Sequence, residues 1–281
     1  MTDPVVHTKA HHADTASPMR NSVEETNAHY APLFSRFRTD VGALGFETQC
    51  LAFELEQVPG IPETALVLDA GCGTGRYAAA WRALFPKARV VGVDINETIL
   101  TTGQVSPGAL RPVNGNLESL PFKDGAFDVV MSRGAIQHTA NPRRALQELL
   151  RVCRPGGIFY FYTYKHGWYD VVLGGLRRVA AAIGAPACSR VVYAATRAMR
   201  LDPRAPTMIL DELFVPIRFA FSEHTIREWL SASGVPLDAV RPVVHAQFGD
   251  LPLPVDRRTK WVYRFVPKNG LITYAVYTRG D

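Results

Sequence analysis

The sequence predicts an α/β protein built on an open sheet with a nucleotide-type site at its strand ends. Two observations carry this. Leu66-Val67-Leu68-Asp69-Ala70 is a short apolar run that ends near an acid, with Gly71, Gly73 and Gly75 following at every second position and a helical pattern starting at Arg76. An apolar run of that length reads as a buried parallel strand. Alternating glycines let the backbone turn sharply and approach a ligand closely, and the next helix points its unpaired N–H groups at that ligand. The second observation is another such run, Ala88 to Val93, which ends in Asp94. An acid at the end of a second strand can accept both ribose hydroxyls.

The spacing decides which nucleotide. The dinucleotide fingerprint is G-x-G-x-x-G, whereas here the loop is G-x-G-x-G with Asp69 just before it. That pattern resembles motif I of the class I S-adenosylmethionine (SAM)-dependent methyltransferases, and in particular the small-molecule, type 11-like group. The resemblance runs without a gap from about residue 64 to 164. It implies a Rossmann-like, mostly parallel sheet of seven strands with helices on both faces, preceded by N-terminal helices and carrying a helical lid inserted after strand five. It also implies SAM as cofactor, held by Asp69, Gly71, Cys72, Gly73, Gly75, Asp94, Ile95, Asn116, Leu117 and Ser132.

Taken in order, residues 1–22 are polar and aperiodic and read as a mobile tail. His7, His11 and His12 lie there without an acid or cysteine framework for a metal. Residues 23–62 read as an N-terminal helical cap on a domain that spans 23–281. Tyr30, Leu33, Phe34 and Phe37 form one apolar stripe, and Leu51, Phe53 and Leu55 lie in a second segment. Such stripes usually pack into the core; by the resemblance, Tyr30 is also a candidate for the substrate side. Tyr77 to Phe85 is the first helix, stopped by Pro86. Ile95 follows the second strand, where the family lays an apolar residue on the adenine face. Asn96 is placed to cap a short helix, Glu97 to Leu100.

Strand three is short, around Arg111 to Val113. After it, Asn114-Gly115-Asn116-Leu117-Glu118-Ser119-Leu120-Pro121-Phe122 resembles the family stretch Gly-Asp-x-x-x-Leu-Pro-Phe. The aspartate that accepts from the adenine amino group in the family is Asn116 here; its amide oxygen still accepts one hydrogen bond but carries no charge. Leu117 would offer its backbone N–H to the ring. Strand four is Phe127 to Ser132, and its exit, Arg133 to His138, resembles the family loop that ends in His. Asn141-Pro142 opens the next helix as N-cap and N1 proline. Arg154 to Gly157 turns into strand five, Ile158 to Tyr164.

Residues 165–220 fit no core strand and read as a lid with two apolar helix stripes: Val171, Val172, Leu176 and Val179, then Val191, Val192, Ala195 and Met199. Ser222 is placed to cap a helix ending at Ala232, and Val240 to Phe248 and Leu271 to Tyr277 correspond by the resemblance to strands six and seven, the last antiparallel.

Methyl transfer from a sulfonium is an in-line displacement, so a protein has chiefly to hold the acceptor against the methyl group and exclude water. A hydroxyl or ammonium acceptor must also lose a proton, while a thioether or carboxylate need not. His138, at the mouth of strand four, is therefore a candidate base, an acceptor contact or a structural group. Arg133 and His166 are candidates for holding an anionic group. Tyr164 and Trp168 are candidates for stacking on the acceptor. The expected acceptor is a small molecule of specialised metabolism, methylated at O, N, C or S. The other readings are an RNA or protein methyltransferase and a SAM-binding protein that does not methylate.

Bulk properties narrow the partners. A net charge of +5 and a pI near 9.1 are mildly basic with no dense Lys/Arg run, so no nucleic acid is expected. Cys50, Cys72, Cys153 and Cys188 show neither C-x-x-C spacing nor the density of a disulfide scaffold, which suits a reducing compartment and no metal. No apolar run reaches ~18 residues, so the chain is expected to be cytoplasmic with no membrane partner. The oligomeric state is left open.

Overall fold

The computed structural model describes residues 44–96, 111–201, 205–245 and 271–278. Tyr30, the residues 1–22 tail, the short helix after Asn96 and the link between strands six and seven lie outside the described residues.

Among the described residues seven strands form one sheet: β1 (Leu66–Ala70), β2 (Arg89–Asp94), β3 (Arg111–Asn114), β4 (Phe127–Arg133), β5 (Cys153–Tyr164), β6 (Val240–Pro242) and β7 (Leu271–Tyr277). Their order is β3-β2-β1-β4-β5-β7-β6. The first five pair in parallel, with Asp69 beside Gly92 on one side and Met131 on the other. β7 is antiparallel to both β5 and β6. The sheet is therefore Rossmann-like and mostly parallel, as the sequence predicts. The order reverses between β1 and β4, which opens a crevice at their carboxyl ends.

Seven helices are described: α1 (Leu44–Leu55), α2 (Arg76–Leu84), α3 (Pro142–Val152), α4 (Trp168–Ile183), α5 (Ala185–Ala198), α6 (Ala205–Phe214) and α7 (Glu223–Ala232). Strand alternation sends β1 side chains to two cores. Val67 joins Val129, Met131, Tyr160 and Trp81 beneath α1 and α2, with Trp81 fully buried and stacked on Phe85 at 5.4 Å. Leu68 and Ala70 join Val130, Phe159 and Phe161 on the opposite face. There Ala145, Leu146, Leu149 and Val152 of α3, and Ile226 and Leu230 of α7, cover the sheet.

Helix ends follow local chemistry. The Asn141 side chain accepts from Arg144 N at 3.0 Å ahead of Pro142, and Ser222 Oγ accepts from Thr225 N at 3.0 Å. Glu148, on the buried side of α3, accepts from Leu120 N at 2.9 Å and from Arg151, so it fastens the β3–β4 link to the helix.

Strands five and six differ in extent from the sequence reading. Strand five begins at Cys153, because Arg154 to Gly157 stays in the strand as an irregularity opposite Phe127 and Val129. Strand six ends at Pro242, which has no N–H for a ladder. In the insertion between β5 and α7 both apolar stripes lie on helices, and Val171, Val172, Leu176, Val179 and Val191 face solvent.

Candidate active site

The crevice at the ends of β1 and β2 is shaped by backbone. Gly71, Gly73 and Gly75 have φ values of 77°, 50° and 74°, the left-handed region that side chains rarely adopt. At Gly71 a Cβ would also lie 2.3 Å from Ala135 Cβ, so the loop is pressed against the exit of β4. Gly71 N and Cys72 N both donate to Val93 O, at 2.8 and 3.1 Å, which ties the loop to β2. Asp94 completes the tie: Oδ2 accepts from Gly73 N at 2.8 Å and Oδ1 from Asn96 N at 2.9 Å. Burial raises the Asp94 carboxyl, and those backbone N–H groups pull against the rise. Each oxygen keeps a second lone pair, so the carboxylate can still accept hydroxyls. Asn114, whose role the sequence reading missed, donates to the carbonyls of Asp94 and Ile95 at 3.3 and 3.1 Å and holds the half-buried Ile95 in place.

Asp69 lies on the β1 face shared with Arg133 and is 3% exposed, with no hydrogen-bond partner for Oδ2 among the described residues. Burial pushes its carboxyl up to about 7; Arg133 pulls it down and Asp94 pushes it further up. A buried carboxylate oxygen without a partner suits an ammonium or hydroxyl donor brought by a ligand. Together with the glycine cradle, these residues fit the amino-acid and ribose ends of SAM. Cys72 is buried and burial pushes its thiol well up, so it packs and does not react. Ser132 is fully buried on the other face of β4, its Oγ without a partner among the described residues. Asn116 uses its side-chain oxygen locally, accepting from Glu118 N at 2.9 Å. Leu117 is buried beside this turn.

Arg133 departs from its expected role. Its side chain points into the α1 face, where it pairs with Glu54 and donates to Tyr160 Oη at 2.8 Å and Tyr77 Oη at 3.3 Å. Its guanidinium also lies 4.2 Å from the centre of the Tyr77 ring. Burial alone would raise the Glu54 carboxyl, but Arg133 and His245, whose Nδ1 lies 2.7 Å from Glu54, hold it at about 2. The charge of Arg133 is thus already matched by an internal acid, and holding a substrate anion is not its role here. No sequence pattern joins Glu54, Tyr77, Tyr160 and His245, which come from α1, α2, β5 and the segment after β6.

His138 closes a single 3-10 turn, Ile136–His138, after β4. Its Nδ1 lies 2.7 Å from Ile217 O, and its ring meets the Tyr164 ring edge-on at 5.6 Å. Burial lowers the His138 pKa more than the Ile217 carbonyl raises it. A carbonyl only accepts, so Nδ1 carries the proton of the neutral ring and Nε2 is the acceptor nitrogen. The Arg218 guanidinium lies 4.3 Å from the centre of the Tyr164 ring and is paired with Asp170 and Glu212 at 2.9 and 3.0 Å. Next to it, His166, Asp170, Leu173, Arg177, Arg218 and Ala220 line a cavity of about 250 Å³. The His166 side chain is 65% exposed at its rim, and Trp168 is 66% exposed with its ring edge-on to Tyr169. Among the described residues no group of three His, Cys, Asp or Glu side chains meets in metal-binding geometry.

Comparison with known proteins agrees with this geometry. Residues 68–161 match the family described as "Methyltransferase domain". A malonyl-[acyl-carrier protein] O-methyltransferase of Herminiimonas arsenicoxydans is 37% identical over 135 residues, 48% of this chain and 50% of that protein. Its counterpart in Erwinia pyrifoliae is 40% identical over 107 residues, covering 38% and 40%. The chain thus spans half or less of the length of the curated relatives it matches. Among solved structures, the methyltransferase bound to the Trm112 activator of Haloferax volcanii superposes with a TM-score of 0.56 at 18% identity, covering 89% of this chain and 97% of that one, a likeness of fold. Over residues 68–161 the chain thus matches a methyltransferase domain, and its strand order and glycine loop are those of the class I, SAM-dependent fold.

Proposed function

We propose that this chain transfers the methyl group of SAM to a small-molecule acceptor by in-line displacement. The observation that supports this most is the pairing of a glycine cradle with an unpartnered buried carboxylate, Asp69 Oδ2, at the switch point of the sheet. In this reading Asp69 accepts from the amino group of the methionine moiety. Asp94 accepts from the ribose hydroxyls while keeping Gly73 and Asn96 in place. Ile95 and Leu117 border the adenine, with the second lone pair of the Asn116 oxygen toward its amino group. Bound SAM supplies an electrophilic methyl on a sulfonium. His138 Nε2 takes the proton that a hydroxyl or amine acceptor loses, and Ile217 O holds the tautomer that makes this possible.

The curated relatives are named for O-methylation of a malonyl group on acyl-carrier protein. A carboxylate acceptor of that kind needs no base. A neutral, oriented histidine at the strand-four exit favours an acceptor with an ionisable O–H or N–H instead. Titration calorimetry with SAM, S-adenosylhomocysteine and NAD tests the cofactor. SAM and S-adenosylhomocysteine should bind and NAD should not, and Asp94→Ala should abolish binding. Labelled SAM with hydroxyl, amine and carboxylate acceptors then tests the acceptor, and turnover restricted to the carboxylates would overturn the role given to His138.

A further inference from the structure

The insertion after β5 exposes an apolar face that the methyltransferase reading does not use. Trp168, Val171, Val172, Leu176, Val179 and Ile183 recur at three- and four-residue spacing along α4, and each is 51–70% exposed. They form one continuous exposed stripe, with the buried Leu173 and Ala180 along its edge. The outward face continues past Gly184 onto α5 with Val191, 66% exposed, and Met199, 47% exposed. A monomeric surface rarely leaves an apolar strip of this length in water.

The charge beside the strip is one-sided. α4 and α5 carry four arginines and a single acid, Asp170, which is already paired with Arg218. Arg177 points inward, donating to the carbonyls of Glu212 and Val215 at 2.6 Å each. Arg178, Arg190 and Arg197 are exposed, as is Arg200 just beyond α5. On α5, Arg190 and Arg197 stand seven residues apart, on one flank of the apolar face. An apolar stripe with an aromatic at its end and arginines on its flank is complementary to the acyl boundary and anionic headgroups of a bilayer. Neither helix alone is long enough to span: α4 has 16 residues, α5 has 14, and they meet at a bend of 116°. A helix of that length covers roughly 24 Å, short of the ~30 Å hydrocarbon core.

We propose that the α4–α5 face docks this protein in the plane of an anionic lipid surface, with the apolar stripe at the acyl boundary and the arginines at the headgroups. This replaces the expectation of no membrane partner. It stands apart from the methyltransferase reading, because none of the stripe residues lies at the glycine loop or His138.

The test is flotation of the full chain with vesicles of phosphatidylcholine alone and of phosphatidylcholine mixed with phosphatidylglycerol, at low and at near-physiological salt. Binding should require phosphatidylglycerol and weaken with salt. Reversing Arg190→Glu and Arg197→Glu should lower it by roughly ten-fold or more. V171D with L176D should abolish it. These side chains face solvent, so a thermal melt matching the wild type marks each variant as folded. Wild-type emission minus that of Trp168→Phe should shift to the blue on binding. Four results overturn the proposal: no flotation with either vesicle, equal flotation with both, a dimer in solution that V171D dissociates while vesicles are ignored, or capture of an acidic carrier protein without vesicle binding.

Discussion

Asp69 is the residue on which the cofactor reading is most exposed to test. Its carboxyl titrates near 7 in the folded chain because it is buried, against an ordinary value near 3.9. A folded pKa above the unfolded one gives stability that is complete below about pH 4 and is lost as pH rises through about 7. The ligand-free protein should therefore melt lower at pH 8 than at pH 5 by an amount that Asp69→Asn removes. A cationic ammonium bound at Oδ2 reverses the preference, so SAM affinity should rise up to ~ten-fold per pH unit below 7 and level off above it. Calorimetry across pH 5–8 reads this directly, and a flat affinity would remove Asp69 from the ammonium site. His138 behaves oppositely: burial depresses its pKa below 6.5, so it stays a neutral base into mildly acidic solution. His138→Ala should lower kcat by about 10²-fold or more with KM little changed, well beyond what the stability lost with the Ile217 hydrogen bond explains; full activity would leave it a packing residue. The position of both residues at strand ends was legible in the sequence. The groups that pull against the effect of burial, Arg133 for Asp69 and Ile217 for His138, were not, because they lie 64 and 79 positions away in the chain.

At the scale of elements, the loops and strands were legible wherever local geometry is dictated by residue type. Three left-handed glycines, an Asn-Pro helix start and a Ser cap leave few alternatives. Gly71→Ala should cost SAM affinity by at least ten-fold, since the added methyl collides with Ala135 and the φ of 77° disfavours it by about 1–2 kcal/mol. What holds α1 on the sheet was not legible. An apolar stripe predicts packing, yet Glu54 and Arg133 place a buried ion pair in that interface. Breaking one side leaves a charge without its counterion, so Glu54→Gln should destabilise by about 3–5 kcal/mol, and pairing it with Arg133→Met should recover much of the loss. Urea unfolding of the single and double variants checks this; equal losses in both would mean that packing, not charge, holds α1. The orientation of the α4 and α5 stripes also escaped the sequence. Periodicity locates an apolar face but does not say which way it points once the sheet is already covered by α3 and α7.

At the scale of the whole molecule, the sheet separates two regions of different firmness. β1, β4 and β5 are buried on both faces, and their backbone bonds open only with much of the fold. α4 and α5 each bury only two residues, Leu173 and Ala180, and Cys188 and Thr196. Little apolar area is lost when they open. Hydrogen exchange followed by mass spectrometry should therefore find α4 and α5 exchanging orders of magnitude faster than β1, β4 and β5. SAM should slow exchange at residues 69–77 and 94–96, where the loop and Asp94 meet, and leave α4 and α5 unchanged. Vesicles containing phosphatidylglycerol should do the reverse, protecting α4 and α5 while the glycine loop stays as it was. Two ligands acting on separate segments of one chain would place cofactor binding and surface docking on independent parts of the fold. Protection of α4 and α5 by SAM alone would instead make the insertion a cover for the crevice, and the lipid-facing role of the stripe would fall with it.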